Sequence, residues 1–458
     1  MTRHFDAIII GAGQAGPSLA GRLTEAGKSV ALVERKFFGG TCVNTGCMPT
    51  KAMVASAYAI HTARRGAEYG MTTGPVSVDF ARVMARKEKV TLDSRTGLES
   101  WLKGMKNCTV LEGHARFESP TEISVGDERI SGEQIFLNVG GRAAIPDFPG
   151  IDQVSYLTNS SIMELDHLPK HLVIIGGSYI GLEFAQVFRR FGSEVTVIEK
   201  GPRLIAREDP DVSDAIRAIL ENEGIHIRLN AECIRFAKHA DGVAAGVDCT
   251  SGAPEVIGSD VLLATGRRPN TDDLGLDKAG VKTDARGYIE VDDMLRTNVP
   301  HIFAMGDCNG RGAFTHTSYN DFEIVAANLL DNDPRRISDR IQTYALYIDP
   351  PLGRAGMTEI EARKSGRKLL IGTRPMTRVG RAVEKGETQG FIKVLVDADT
   401  KEILGASILG TGGDEVIQSI LDVMYAKRPY TTISRAMHIH PTVSELIPTV
   451  FGDLSPAA

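Results

Sequence analysis

The chain has 458 residues, 42% hydrophobic and 24% charged, with a formal charge of -6. That length outgrows a single core and predicts about three domains, while the acidic balance leaves no basic footprint for nucleic acid or an anionic membrane. No apolar run reaches the ~18–20 residues of a membrane span, and six cysteines over this length make no secreted disulfide scaffold, so the cytoplasm is the expected compartment.

From the N-terminus, Phe5-Asp6-Ala7-Ile8-Ile9-Ile10 reads as a strand rather than a signal-peptide core, because it runs straight into Gly11. Gly11-Ala12-Gly13-Gln14-Ala15-Gly16 then opens an apolar helix, and Ser29 to Glu34 forms a second strand ending in an acid. Next comes Gly39-Gly40-Thr41-Cys42-Val43-Asn44-Thr45-Gly46-Cys47-Met48-Pro49-Thr50-Lys51, with two cysteines five positions apart. An unbroken helix would separate them by about 7.5 Å along its axis, beyond the roughly 4.4–6.8 Å between disulfide Cα atoms. Bridging Cys42 to Cys47 therefore needs a distorted first turn, which Gly46 and the preceding loop can supply. As a staple the bridge would add only about 2 kcal/mol, against ~4.7 for a hundred-residue loop. In a reducing compartment such a pair is redox-active or is two ordinary thiols.

Residues 115–145 predict short alternating strands punctuated by Gly113, Gly126 and Gly132. The opening pattern then recurs. His171-Leu172-Val173-Ile174-Ile175 leads into Gly176-Gly177-Ser178-Tyr179-Ile180-Gly181, a helix, and a strand from Glu194 to Glu199. In both copies the acid lies 18 positions after the last glycine (Gly16 to Glu34, Gly181 to Glu199). Each copy has the strand, turn, helix, strand and terminal acid of a Rossmann βαβ unit. The first glycine makes the tight turn, the small middle residue admits a pyrophosphate, and the helix N-terminus supplies positive charge. Further on, Val261 to Gly266 reads as a buried strand, Thr297 to Asp307 as a strand ending at a carboxylate, and Ser318 to Leu330 as a helix. Asp331-Asn332-Asp333-Pro334 breaks the chain. Strands over Gly390–Val396 and Glu402–Leu409, followed by helix, indicate a separate α+β domain.

Two bound dinucleotides follow. A flavin exchanges electrons with a disulfide and a nicotinamide delivers hydride to a flavin. The fingerprint leading directly to the cysteines is therefore assigned FAD and the second the nicotinamide. Glu199 suits a free ribose 2′-hydroxyl and argues for NADH, with NADPH as the alternative given nearby Lys200 and Arg203.

The first fingerprint, the GGTCVNTGCMPTK run, GGSYIGLE from Gly176, ATGRRPN from Ala264, AMGD from Ala304 and HPTVSE from His440 resemble, end to end, the class I pyridine nucleotide-disulfide oxidoreductases. This is the flavoprotein family of dihydrolipoamide dehydrogenase, glutathione reductase and mercuric reductase. The resemblance implies an α/β fold with two Rossmann-like dinucleotide-binding domains and a C-terminal α+β dimerisation domain. It divides the chain into an FAD-binding part (1–145), an NAD(P)H-binding domain (146–264), a return segment of the FAD domain (265–335) and an interface domain (336–458). It implies that Cys42 is the interchange thiol, Cys47 the charge-transfer thiol, Lys51 the lysine near the flavin and Glu183 its ion-pair partner. Gly11, Gly13, Gly16, Glu34, Gly40, Thr41, Gly306 and Asp307 would hold FAD with Lys51. Gly176, Gly177, Ser178, Tyr179, Ile180, Gly181, Glu199 and Gly266 would hold the nicotinamide cofactor. His440 and Glu445 match a His–Glu pair that reaches the other subunit's active site, implying a homodimer with shared sites.

His440 would act as acid–base partner, with Glu445 fixing its tautomer. His438 is expected to be structural, Trp101 to be packing, and Cys108, Cys233, Cys249 and Cys308 to be plain thiols. No metal-ligand set is expected. After its last cysteine, Cys308, the chain lacks the C-terminal pair of mercuric reductases and high-molecular-weight thioredoxin reductases, so mercury detoxification is disfavoured. Glu199 disfavours glutathione reductase. Phe314 to Phe322 looks more like the mercuric-reductase-like subgroup than dihydrolipoamide dehydrogenase. The expected acceptor is a small disulfide or oxidant; dihydrolipoamide dehydrogenase and a metal-ion (mercuric) or quinone reductase are the enzymatic alternatives, and a non-enzymatic flavin-binding sensor is the rival from outside enzymology.

Overall fold

The computed structural model describes residues 2–248 and 252–457, without the side chain of Cys233. Cys249 and the Cys233 thiol lie outside the described residues. The first sheet runs in the order 108–112, 30–34, 3–10, 128–137, 122–125, 115–117, and strand Ile302–Ala304 also pairs with 128–137. Strands 108–112, 30–34, 3–10, 128–137 and 302–304 are parallel, and 122–125 and 115–117 add an antiparallel extension. The parallel strands Ala7–Ile10 and Val30–Val33 are buried on both faces, which suits their unbroken apolar runs.

A second parallel sheet runs 226–228, 194–198, 171–175, 260–263, beside an antiparallel sheet of 232–239, 242–248 and 255–258. Strand Gly141–Ala143 pairs antiparallel with Arg267–Pro269, tying together the two connections between the lobes. The third layer is a six-stranded antiparallel sheet over residues 343–456, backed by helix Gly413–Tyr425. The architecture is the expected one: two α/β nucleotide-binding lobes and a C-terminal α+β unit.

Several local expectations need correction. Gly132 does not punctuate strands; it lies inside Glu128–Leu137, where a Cβ would come within 2.8 Å of Ile8 on the adjacent strand. The strand expected over 297–307 shrinks to Ile302–Ala304. The helix expected from Ser318 begins earlier, spanning Thr315–Ala326 with a wider turn over Ala327–Asp331. There Phe314 N–H donates to Thr317 Oγ1 at 3.1 Å, satisfying a helix-end group and drawing poor helix formers into the first turn.

An ionic cluster joins the second lobe to the interface domain. Arg354 is 2% exposed and donates to Glu208 and, at 3.5 Å, to Asp209; Lys393 reaches Asp211 at 2.8 Å and Glu359 at 2.5 Å. Removing one partner of a buried pair strands the other's charge. Arg354→Ala should destabilise the protein by about 3–5 kcal/mol, seen as a lower midpoint of thermal unfolding; an unchanged midpoint contradicts this role.

Candidate active site

The two βαβ units are built alike. Gly11 N–H donates to Val33 O and Gly176 N–H to Ile198 O, both at 2.8 Å. Each terminal acid then clasps its own turn. Glu34 accepts from Ala12 N–H at 2.9 Å and Lys36 N–H at 2.8 Å, and Glu199 accepts from Gly177 N–H at 2.6 Å and Gly201 N–H at 2.7 Å. At Gly11 (φ +104°) a Cβ would sit 2.3 Å from Asn138 O, and at Gly176 (φ +114°) 2.4 Å from Ala264 O. At Gly16 and Gly181 it would strike the carbonyl of the first glycine, Gly11 or Gly176, at 2.3 and 2.2 Å. Both outer glycines of each turn are sterically obligatory.

The middle position differs for a visible reason. A Cβ at Gly13 would lie 2.8 Å from Asn138 Oδ1, whereas the matching residue in the second unit, Ala264, has no amide there. Ser178 is tolerated because its neighbour is small. Asn138 also accepts from Gly16 N–H at 3.1 Å and donates to Met305 O at 3.0 Å, joining the first turn to the Gly306–Asp307 segment. Motif reading missed Asn138. Superposing IFLNVG on VLLATG, the third strands of the two units, is the signal that could have found it.

The first unit opens into a cavity of about 1040 Å³, above the ~300–1,000 Å³ of common ligand sites and so roomy enough for a dinucleotide. It is lined by Gly11, Gly13, Glu34, Gly40, Thr41, Cys42, Cys47, Lys51, Tyr179, Ile180, Glu183 and Asp307, among others. Gly40 (φ +59°) brings its backbone against Gly13, where a Cβ would be 3.0 Å from the Gly13 Cα. Gly16, Gly306, Gly176, Gly177, Ser178, Gly181, Glu199 and Gly266 do not line the cavity. Of these, Gly306 supports it from behind, donating its N–H to buried Asp321 at 2.7 Å.

The cysteine geometry is settled by a helix break. Cys42 belongs to the short helix Gly40–Asn44, and Cys47 is the first residue of a new helix, Cys47–Arg64. Between them Gly46 takes φ -135°, ψ -117°, and a Cβ there would press on Thr41 O at 2.8 Å. The five-residue spacing thus never has to be spanned by one helix. The two sulfurs are unbonded thiols here, hydrogen-bonded to each other.

Cys47 Sγ also lies 3.0 Å from Thr315 Oγ1. The Cys42 hydrogen bond, with support from Thr315 and the Lys51 charge, pulls the Cys47 thiol down to about 6 against burial and the Glu183 charge. The same hydrogen bond, aided by burial, pushes the Cys42 thiol up. The pair therefore loses its first proton as a unit, with the negative charge resting on Cys47. Lys51 Nζ is 2.7 Å from Glu183, which is 3% exposed and also accepts from Tyr347 N–H at 3.0 Å. The ammonium lies 4.4 Å from the Tyr347 ring centroid.

Asp307 sits 3.3 Å from Arg267, and burial raises its carboxyl above the usual range. His440 Nδ1 pairs with Glu445 Oε2 at 2.9 Å, but the His440 side chain is 80% exposed and outside this chain's cavity. Ile439 and Met437 beside it are also exposed. His438 Nδ1 lies 3.1 Å from Ala436 O, Trp101 lies against Gly21, and burial pushes Cys108 and Cys308 up to about 11 and about 12. Among the described residues, no group of three or more His, Cys, Asp or Glu is placed to hold a metal ion.

Comparison with known proteins matches residues 5–321 to the family described as pyridine nucleotide-disulphide oxidoreductase, and residues 343–451 to that family's dimerisation domain. The chain belongs to this family. It is 37% identical over 456 residues to the probable pyridine nucleotide-disulfide oxidoreductase RclA of Escherichia coli (strain K12), covering 98% of this chain and 99% of the relative. It is 33% identical over 447 residues to a dihydrolipoyl dehydrogenase of Thermus scotoductus, covering 97% and 96%. The solved Cu(II) complex of E. coli RclA, described as an HOCl-induced flavoprotein disulfide reductase, superposes with a TM-score of 0.90 at 36% identity, covering 99% of both chains.

As a pyridine nucleotide-disulphide oxidoreductase, the protein is an enzyme that moves electrons from NAD(P)H through FAD to a disulfide. The first turn, with its obligatory glycines, Glu34 and the adjoining cavity, has the room and the backbone donors that FAD would need. Because the Cys47 thiol lies near 6, ultraviolet thiolate absorbance of the reduced protein should rise as pH increases through about 6. It should fall again on acidification, and a first transition in the ordinary thiol range contradicts the geometry.

Proposed function

We propose that Cys42 and Cys47 form the redox-active pair, drawing electrons from NADH through FAD and passing them to a small disulfide or oxidant. The observation that carries this reading is the shared cavity: both cysteines, Lys51 and the first glycine turn line one space. Bound FAD supplies two-electron exchange between a nicotinamide and a disulfide. Cys42, the exchanging thiol, attacks one sulfur of the acceptor disulfide, breaking its S–S bond, and the departing sulfur takes up a proton. The Cys47 thiolate then attacks the Cys42 sulfur, releasing the second half as a thiolate and closing the Cys42–Cys47 bond. Glu183 holds Lys51 as a cation beside that thiolate.

The proton is handled by His440 of the partner subunit, oriented by Glu445. Its exposure in the single chain, beside exposed Met437 and Ile439, supports a homodimer in which each cavity is completed by the other copy. Glu199 supports NADH over NADPH, since its carboxylate occupies the strand end where a 2′-phosphate would need a cation. The thiol chemistry suits a reducing compartment such as the cytoplasm.

The acceptor class is supported by similarity to the HOCl-induced RclA. A second reading takes a metal ion as acceptor, favoured by that relative's Cu(II) complex. Reducing the enzyme with NADH or NADPH and then offering lipoamide, oxidised glutathione, hypothiocyanite, quinones or Cu(II) should give fastest reoxidation with a disulfide or oxidant and faster reduction by NADH. Dihydrolipoamide-driven NAD reduction at a metabolic rate would instead make it a dihydrolipoamide dehydrogenase. In a second test, mixed Cys42→Ser and His440→Ala subunits should regain up to one working site per heterodimer. No recovery after proven subunit exchange contradicts shared sites.

A further inference from the structure

A hydroxyl within hydrogen-bond distance of Cys47 belongs to a residue outside the cysteine motif. Thr315 Oγ1 lies 3.0 Å from Cys47 Sγ, although the two are 268 positions apart. Thr315 opens the 12-residue helix Thr315–Ala326, and Cys47 opens the 18-residue helix Cys47–Arg64. Two positive helix ends therefore meet within one hydrogen bond of the same sulfur.

The residues on either side of the threonine are anchored. Phe314 stacks on the Tyr344 ring (5.6 Å between centroids, 5° between planes) and on His316 (5.3 Å, 8°). His316 Nε2 is anchored 2.8 Å from Thr343 O, and the Tyr344 hydroxyl donates to buried Glu208. Thr315 lies between these two fixed neighbours, so little freedom is lost when its hydroxyl turns toward the sulfur.

We propose that the Thr315 hydroxyl donates to the Cys47 thiolate of the reduced enzyme and thereby favours reduction of the Cys42–Cys47 pair. The inference rests on the roles proposed above for those cysteines. Reduction breaks the Cys42–Cys47 bond by adding two electrons and one proton, leaving a Cys42 thiol and a Cys47 thiolate. The electrons come from the pyridine nucleotide through FAD. A disulfide sulfur is a weak acceptor and a thiolate a strong one, so the hydroxyl stabilises the product far more than the starting state. Other groups also face Cys47: Cys42 on the short helix, Lys51 on its own helix, Glu183 on Tyr179–Phe191, and Tyr347 after strand Thr343–Leu346. Substitution at Thr315 leaves all of them in place.

The test uses FAD-loaded wild type, Thr315→Val and Thr315→Ser, each reduced by two electrons. The long-wavelength thiolate-to-flavin absorbance is then titrated against pH. Valine keeps the shape and removes the donor, so its midpoint should rise by roughly one to two pH units, the size expected for a hydrogen bond to a charged group. Serine should restore a midpoint near wild type. An unmoved midpoint in a valine variant with full FAD content overturns the proposal, as does a serine variant that behaves like valine. If valine impairs FAD binding, Thr315→Ala is read in its place with the same expectation. A wild type showing no such absorbance at any pH removes the cysteine assignment itself, an outcome distinct from an unmoved midpoint.

Discussion

A sulfur that must carry negative charge while half-buried governs the layout of this protein. Desolvation alone would hold the Cys47 proton in place, and Glu183 adds to that resistance. The charge is offset by two near neighbours in sequence, the Cys42 thiol and the Lys51 ammonium, itself fixed by Glu183 and the Tyr347 ring, and by the Thr315 hydroxyl from 268 positions away. Each belongs to a different helix, so the fold has to bring several helix ends to one point. Parallel sheets do this naturally, because helices following parallel strands begin at the same edge.

The two glycine turns reach the same local solution twice. An acid at the end of the second strand clamps the backbone just after the first glycine, closing the turn before any ribose arrives. The steric demands at the outer glycines agree within 0.1 Å between the units. They part at the middle residue, where the Asn138 side chain requires Gly13 and the smaller Ala264 admits Ser178. The first unit uses that asparagine to fasten Met305, and so the return segment, onto its turn.

Much of this was legible in the residues because it depends on local rules. The βαβ repeat follows from apolar runs, glycine spacing and terminal acids, and the helix break between the cysteines follows from disulfide reach. Local rules failed where distant contacts decided the outcome. Gly132 looked like punctuation but serves close packing against Ile8. The helix expected from Ser318 begins at Thr315, where the Thr317 hydroxyl accepts from the Phe314 N–H at the helix start.

By itself the sequence determined the two glycine turns with their acids and the cysteine motif, because each is written in short-range spacing; the motifs together carried the family resemblance, which implied the Lys51–Glu183 pair. The tertiary structure alone decided that the Thr315 hydroxyl meets Cys47 and that the Asn138 side chain closes on the first glycine turn. Those outcomes depend on distances between segments up to hundreds of residues apart. Long-range packing sets such distances, and sequence spacing carries no record of them.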